Sequence, residues 1–144
     1  MAALEHCNIR TVDLVETVRF YSEVVGLEAG PFPGKDGQGA WLYDEAGVAV
    51  IHVTALDLTD ADGAMERLRD RLGELAAHVD FETRGTGVID HIAFRCEDFP
   101  SMVKRLQAAG LYHRVRHLPQ LGLVQILVND PNGITLELNF RGEA

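Results

Sequence analysis

The chain has 144 residues, of which 47% are hydrophobic, and it carries a formal net charge of −9. This length and composition are typical of one compact unit with a sizeable core, and the acidic charge argues against nucleic acid and anionic membrane surfaces as partners. No apolar run approaches the roughly 18 residues of a membrane span, no basic and apolar leader opens the chain, and the two cysteines form no CxxC pair or disulfide framework. We therefore expect a cytoplasmic protein.

The first half of the chain predicts the order β-α-β-β-β. Residues 4–10 alternate in strand fashion, with His6 and Arg10 on the same face. Asp13 is placed as the N-cap of a helix that ends at Gly26. Three further strands are predicted over 27–29, 39–43 and 48–54, with glycine- and proline-containing turns between them.

Residues 56–87 form a linker between the two halves. Apolar side chains recur at helical spacing from Met65 to Val79, which predicts a linker helix over about 62–79. We expect this helix to pack its apolar stripe on the protein or on a second subunit, and a lid over the active site is the alternative.

The second half repeats the order of the first. A strand over 88–95 precedes a helix over 99–109, which Asp98 caps and Gly110 ends. Strands follow over 112–117, 123–128 and 134–140, with a strong turn signal at 130–133.

The two halves match at an offset of 85 residues. This offset places His91 on His6, Arg95 on Arg10 and Glu137 on His52. A repeat that preserved only a fold would need to keep only the apolar pattern and the turns. Here a polar, metal-capable side chain stands at both ends of both copies, which indicates a shared functional site.

Strand alternation places these four side chains on the inner, helix-free faces of their strands. His52 stands between the apolar Ile51 and Val53, and Glu137 between two leucines. Neutral imidazole and ionised carboxylate are ligands for borderline divalent metals. We therefore predict a metal site built from His6, His52, His91 and Glu137, with one or two coordination positions left open.

The predicted fold is α+β and a single domain over residues 1–144. Two tandem βαβββ modules, module one over 4–55 and module two over 88–141, form a curved mixed sheet, or half-barrel, around the metal site. The linker occupies 56–87.

The ordered set of four stretches resembles the vicinal oxygen chelate superfamily, which includes glyoxalases, epimerases, extradiol dioxygenases and fosfomycin and bleomycin resistance proteins. The stretches are LEHCNIRTVDLVETVRFYSEVVGL, VAVIHV, IDHIAFRCEDF and DPNGITLELNF. With the strands between them they cover nearly the whole chain except 56–87. The resemblance implies metal ligands from the first and fourth strands of each module, which are again His6, His52, His91 and Glu137. His52 departs from the glutamate or glutamine usual in glyoxalases and epimerases, so it is either a fourth ligand or an acid/base beside the metal.

Three functions are open under this resemblance. The first is dioxygenase-like chemistry, in which Fe(II) binds a substrate through neighbouring oxygens, and it is favoured because three nitrogens and one carboxylate suit Fe(II). The second is glyoxalase- or epimerase-like proton transfer with Glu137 as base. The third is a metal-free drug- or metabolite-binding protein, which is disfavoured because such relatives generally lose the ligands that this chain keeps. Mn(II), Ni(II), Co(II) and Zn(II) would also accept this ligand set.

The remaining expectations concern the substrate and the partners. We expect a small-molecule substrate and a homodimer, with no nucleic acid and no membrane as partner. The candidate catalytic residues are Glu137 and His52. The candidate substrate-binding residues are Arg10, Trp41, Tyr43, Arg95, Tyr112 and His117.

Overall fold

The computed structural model describes residues 4–78, 84–87 and 89–142. The first module contains β1 (Cys7–Thr11), α1 (Leu14–Phe20), β2 (Glu28–Gly30), β3 (Gly39–Tyr43) and β4 (Ala49–Ala55). Helix α2 (Ala61–Leu72) leads on from it. The second module contains β5 (Ile92–Cys96), α3 (Phe99–Ala108), β6 (His113–Leu118), β7 (Leu123–Asn129) and β8 (Thr135–Arg141). No helix in the described part of the chain is long and apolar enough to cross a membrane.

The two modules have the same topology. The first sheet has the order β1-β4-β3-β2 and the second β5-β8-β7-β6, and in each the first and last strands pair in parallel while the other pairs are antiparallel. The predicted α+β fold with two tandem βαβββ modules is therefore confirmed. The two sheets stay separate and do not close into one barrel.

Local sequence signals account for most element ends. Asp13 and Asp98 accept hydrogen bonds from the backbone N–H three residues on, as N-caps do. Helix α1 continues into a π-helical turn over Tyr21–Val25, which ends at Gly26 with a φ of 96°. An L side chain rarely adopts that φ, so glycine ends the helix as predicted.

The linker helix is shorter than predicted. Helix α2 ends at Leu72 because Gly73 takes a positive φ of 56°, and the chain continues as a 3-10 helix over Gly73–His78. The last residue of the predicted range, 79, lies outside the described residues. The strands predicted from residues 4 and 88 begin later, so His6 and His91 each stand one residue before the first strand of their module.

One hydrophobic core serves both modules. Strand alternation turns fully buried side chains of β8, such as Leu136 and Leu138, towards the helices. Fully buried residues of the first module, among them Tyr21 and Leu42, belong to the same cluster. The modules are therefore packed as one body rather than joined only by the linker.

A buried polar network joins the two modules. Asn132, in the turn between β7 and β8, accepts a hydrogen bond of 2.7 Å from Thr11 and donates one of 3.0 Å to Thr17. Asp130 of the same turn accepts 2.8 Å bonds from the backbone N–H groups of Asn132 and Ile134. The turn signal read from the sequence thus also marks the contact between modules.

Candidate functional site

Three aromatic rings form a stack on the inner face of the first sheet. Strands β1 and β3 flank β4, and Asn8 and Trp41 are the register partners of His52. The His52 ring stacks on His6 at 3.8 Å between centroids and on Trp41 at 4.3 Å. The structure thus brings together the two metal ligands predicted in the first module. We call His6 and His52 the first half-site.

The surroundings of His52 favour its neutral form. Burial lowers the pKa of His52 below its ordinary value, and the neighbouring His6 lowers this pKa further. A neutral imidazole has a free lone pair, which is the form that binds a metal. The stack therefore favours the ligand-competent state of His52.

The two ligands predicted in the second module also lie together. His91 Nε2 is 3.7 Å from Glu137 Oε2, and His91 Nδ1 is 2.8 Å from Asp90 Oδ2. The hydrogen bond with Asp90, more than the nearby Glu137 charge, raises the pKa of His91. We call His91 and Glu137 the second half-site.

The donor chemistry of the second half-site fits a cation. Asp90 can only accept, so Nδ1 of His91 carries the proton of the neutral ring and Nε2 presents a lone pair. This lone pair and the Glu137 carboxylate face each other across 3.7 Å. A cation bound by both groups, or a second proton on His91, would make this contact attractive. This atom set fits the divalent metal that the sequence implies.

The sheet holds Glu137 in a fixed place. It stands between the fully buried Leu136 and Leu138 on β8, and its own side chain is 15% exposed. Asn139, two residues further along the same face, donates a 2.8 Å hydrogen bond from Nδ2 to Glu137 Oε1. Oε1 is thus occupied while Oε2 is the oxygen nearest to His91.

Three positions linked to Glu137 were missed by the sequence reading. Gln125 donates to Asn139 Oδ1 at 3.1 Å, and Arg116 donates to Gln125 Oε1 at 3.3 Å. The available signal was Gln125 itself, a polar residue inside the otherwise apolar run of β7. Asp90, the partner of His91, was missed as well, although it adjoins a predicted ligand.

The four predicted ligands do not gather into one cluster. Within the described ranges, no group of three or more histidine, cysteine or acidic side chains is placed to hold a metal ion. The structure presents the predicted ligands as two pairs, one on each sheet.

Two cavities take in two of the predicted substrate residues, but neither is lined by His52, His91 or Glu137. Arg10 lines a cavity of about 760 Å³ together with Phe32 and residues of α2, including Arg67. Arg95 lines a second cavity of about 580 Å³, which also includes His6. Volumes of this size fit small molecules.

The other predicted substrate residues are more scattered. Trp41 belongs to the ring stack, and the Tyr43 hydroxyl donates to Pro31 O at 2.7 Å. Tyr112 is 88% exposed just before β6, and His117 shares the Val115 face of that strand, opposite Arg116. A substrate role for these residues stays a prediction.

The comparisons with known proteins agree with this fold. A domain from Frankia sp. EAN1pec, described as a glyoxylase/bleomycin resistance protein/dioxygenase domain, is 20% identical with a TM-score of 0.65, covering 100% of this chain and 95% of the other. The genomically encoded fosfomycin resistance protein FosX from Listeria monocytogenes is 18% identical with a TM-score of 0.64, covering 97% and 93%. A glyoxalase family protein from Bacillus anthracis is 20% identical with a TM-score of 0.64, covering 98% and 96%.

At these identities the structural likeness shows the fold alone. A search among curated proteins finds no significant match. The family model of the glyoxalase/bleomycin resistance protein/dioxygenase superfamily, however, matches residues 3–138. The chain therefore belongs to the glyoxalase/bleomycin resistance protein/dioxygenase superfamily.

Proposed function

We propose that this protein is a metal-dependent enzyme that acts on a small substrate chelated through two neighbouring oxygens. The observation that carries the proposal is the second half-site, where Nε2 of His91 lies 3.7 Å from Oε2 of Glu137 and Nδ1 contacts Asp90 Oδ2. The neutral, stacked His52 beside His6 supplies the other donors. Together they offer three imidazoles and one carboxylate.

We infer that a homodimer completes the site. Catalytic metal sites take about three protein ligands, and each half-site provides two. The single core and the buried turn at Asp130 and Asn132 hold the two modules of one chain in a fixed relation. A second chain, related by a two-fold axis, would place its second half-site against the first half-site of its partner.

The favoured reaction is dioxygenase-like, with Fe(II) as the metal. Three nitrogens and one carboxylate suit Fe(II), although Mn(II), Ni(II), Co(II) and Zn(II) tolerate the same set. When bound, the ion would supply a Lewis acid for the substrate oxygens. The residues of the chain would bind and orient the substrate: Trp41 as an aromatic wall beside His52, and Arg10 and Arg95 as anion-binding groups in the two cavities.

A second candidate is glyoxalase- or epimerase-like proton transfer with Glu137 as base. One observation favours it: Asn139 donates a hydrogen bond to Oε1 of Glu137, while Oε2 is the oxygen nearest to His91. A carboxylate held on one oxygen and free on the other is well placed to accept a proton at a fixed position.

The test is anaerobic reconstitution with each of these metals in turn, followed by two assays. Oxygen uptake with catechols measures the dioxygenase reaction, and turnover of hemithioacetals measures the isomerase reaction. We expect oxygen uptake with the Fe(II) protein. Hemithioacetal turnover without oxygen uptake would favour the second candidate. A protein that binds no metal but binds small ligands would overturn both and would favour a binding protein.

A further inference from the structure

We propose that Arg116, Gln125 and Asn139 form a one-way hydrogen-bond chain that fixes which oxygen of Glu137 faces His91. This inference rests on the proposed function in so far as Glu137 is a metal ligand or base. The chain runs across three strands of the second sheet: Arg116 is the register partner of Gln125, and Gln125 is the register partner of Asn139. Its three links measure 3.3, 3.1 and 2.8 Å.

The polarity of the chain follows from its two ends. An arginine can only donate, so Gln125 must turn its carbonyl oxygen towards Arg116 and its amide nitrogen towards Asn139. Asn139 must then accept through Oδ1 and donate through Nδ2. An ionised Glu137 can only accept, so the far end demands the same direction. Each amide therefore has one orientation that satisfies both neighbours.

Burial makes this polarity costly to reverse. Gln125 is 7% exposed, and the side chain of Glu137 is 15% exposed. Reversing one amide in such a setting would bring two oxygens or two N–H groups together, and buried polar groups without a partner are expensive. The chain thus holds a donor on Oε1 of Glu137 and leaves Oε2 for His91. Arg116 acts as a positioning residue for Glu137 through two amides.

The sharpest variant is Gln125→Glu. A glutamate at this position keeps the shape and accepts from Arg116, but it also accepts where Gln125 donates. Asn139 would then donate to residue 125 and turn Oδ1 towards Glu137, whose Oε1 would lose its hydrogen bond. Arg116→Met removes the obligatory donor, Arg116→Lys keeps a donor-only group, and Arg114→Met changes an exposed arginine on the same strand as a matched control.

The first readout is the side-chain amide resonances of Asn139 in the metal-free protein. We expect them to shift in Gln125→Glu and Arg116→Met, to return close to wild-type positions in Arg116→Lys, and to stay in place in Arg114→Met. Unchanged Asn139 resonances in Gln125→Glu would overturn the proposed hydrogen-bond chain. This readout needs no metal, so it tests the hydrogen-bond chain even if the proposed function is wrong.

The second readout is metal affinity, followed by titration with Ni(II) and the fluorescence of Trp41, the single tryptophan, which stacks on His52. Loss of a hydrogen-bonding partner of a metal ligand commonly weakens binding by about 10–100-fold. We expect a loss in that range for Gln125→Glu and wild-type affinity for Arg116→Lys and Arg114→Met. Wild-type affinity in Gln125→Glu would overturn the positioning role, whereas absence of binding in the wild type itself would overturn the proposed function.

Discussion

Tyr21 in the π-helical turn of the first module donates a 3.1 Å hydrogen bond to Asp130 Oδ2 in the second. Tyr21 is fully buried and Asp130 is 5% exposed. Burial, together with the Asp130 charge, raises the pKa of the Tyr21 hydroxyl, so it remains a donor at any physiological pH. This bond and the Asn132 contacts hold the modules in one relative orientation, which is why we do not expect the two half-sites to meet by hinge motion within a chain.

Removing the hydroxyl that bridges the modules should destabilise the fold. Tyr21→Phe leaves the buried Asp130 carboxylate short of one donor, which costs about 1–3 kcal/mol of unfolding free energy. Urea unfolding measures the change, with Tyr43→Phe as control, because the Tyr43 hydroxyl donates to Pro31 O in an exposed setting. Equal losses in the two variants would contradict the assigned role of the Tyr21–Asp130 bond.

The two half-sites should titrate on opposite sides of the ordinary histidine pKa of about 6.5. Burial and His6 lower the pKa of His52, whereas Asp90 and Glu137 raise that of His91. NMR titration of the metal-free protein measures both values. Asp90→Asn should lower the pKa of His91 towards its ordinary value and leave the pKa of His52 unchanged. A His91 pKa that does not fall in this variant would contradict the contact between Asp90 and His91.

These shifts also set the sign of the stability change with pH. The unfolded chain binds a proton at His52 more readily than the folded protein does. The contribution of His52 to the free energy of unfolding is therefore fully present above about pH 6.5 and is lost as pH falls through the folded pKa. His91 behaves in the opposite way, since its contribution is present below about pH 6.5 and is lost as pH rises through its folded pKa. Urea unfolding of His52→Asn and His91→Asn across this range should show opposite slopes relative to the wild type.

His52→Glu separates the two reaction classes. In a dioxygenase the new carboxylate places a second negative charge beside the metal, and repulsion in a low-dielectric site should sharply lower oxygen-dependent turnover. In an isomerase the glutamate should serve as a ligand and retain or improve turnover. Oxygen consumption and hemithioacetal turnover, measured side by side on the same variant, decide between them. Intact oxygen-dependent turnover in His52→Glu would contradict the dioxygenase proposal.

The sequence predicted the modules better than the site. Period-two alternation and capping residues are local, so residues such as Asp13, Gly26 and Leu136 could be placed without knowing what they pack against. The repeat offset matched His6 to His91 and His52 to Glu137 across the modules, whereas the structure brings His6 to His52 and His91 to Glu137 within each module, because β1 pairs with β4 and β5 pairs with β8. What local patterns do not carry is the relation between modules. It depends on long-range contacts such as Thr11 with Asn132, and it leaves the four ligands in two pairs.

The hydrogen-bond partners of side chains on neighbouring strands could not be predicted from the sequence for a similar reason. Gln125 reaches Asn139 only because β7 and β8 pair in a particular register, and a one-residue slip would turn Gln125 to the other face. The apolar neighbours of Gln125 predicted a strand, but they did not indicate which side chain its amide would bind.

Mixing two inactive variants tests whether the metal site is shared between chains. One variant carries His6→Ala with His52→Ala, and the other carries His91→Ala with Glu137→Gln. If a two-fold dimer builds each site from both chains, random re-association yields one intact site in each mixed dimer, or about a quarter of the wild-type metal content. No recovery, in a sample shown by sedimentation to contain mixed dimers, would contradict a shared site.

The most direct measurement is the metal content of single-ligand variants. The wild type, purified and reconstituted with Fe(II) or Ni(II), should hold about one ion per chain, with the set of four predicted ligands bound to it. His91→Ala and Glu137→Gln should each lose most of this metal, while His113→Ala, which changes a histidine whose Nδ1 lies 3.0 Å from Leu111 O, should keep it. Unchanged metal content in both His91→Ala and Glu137→Gln would contradict the site.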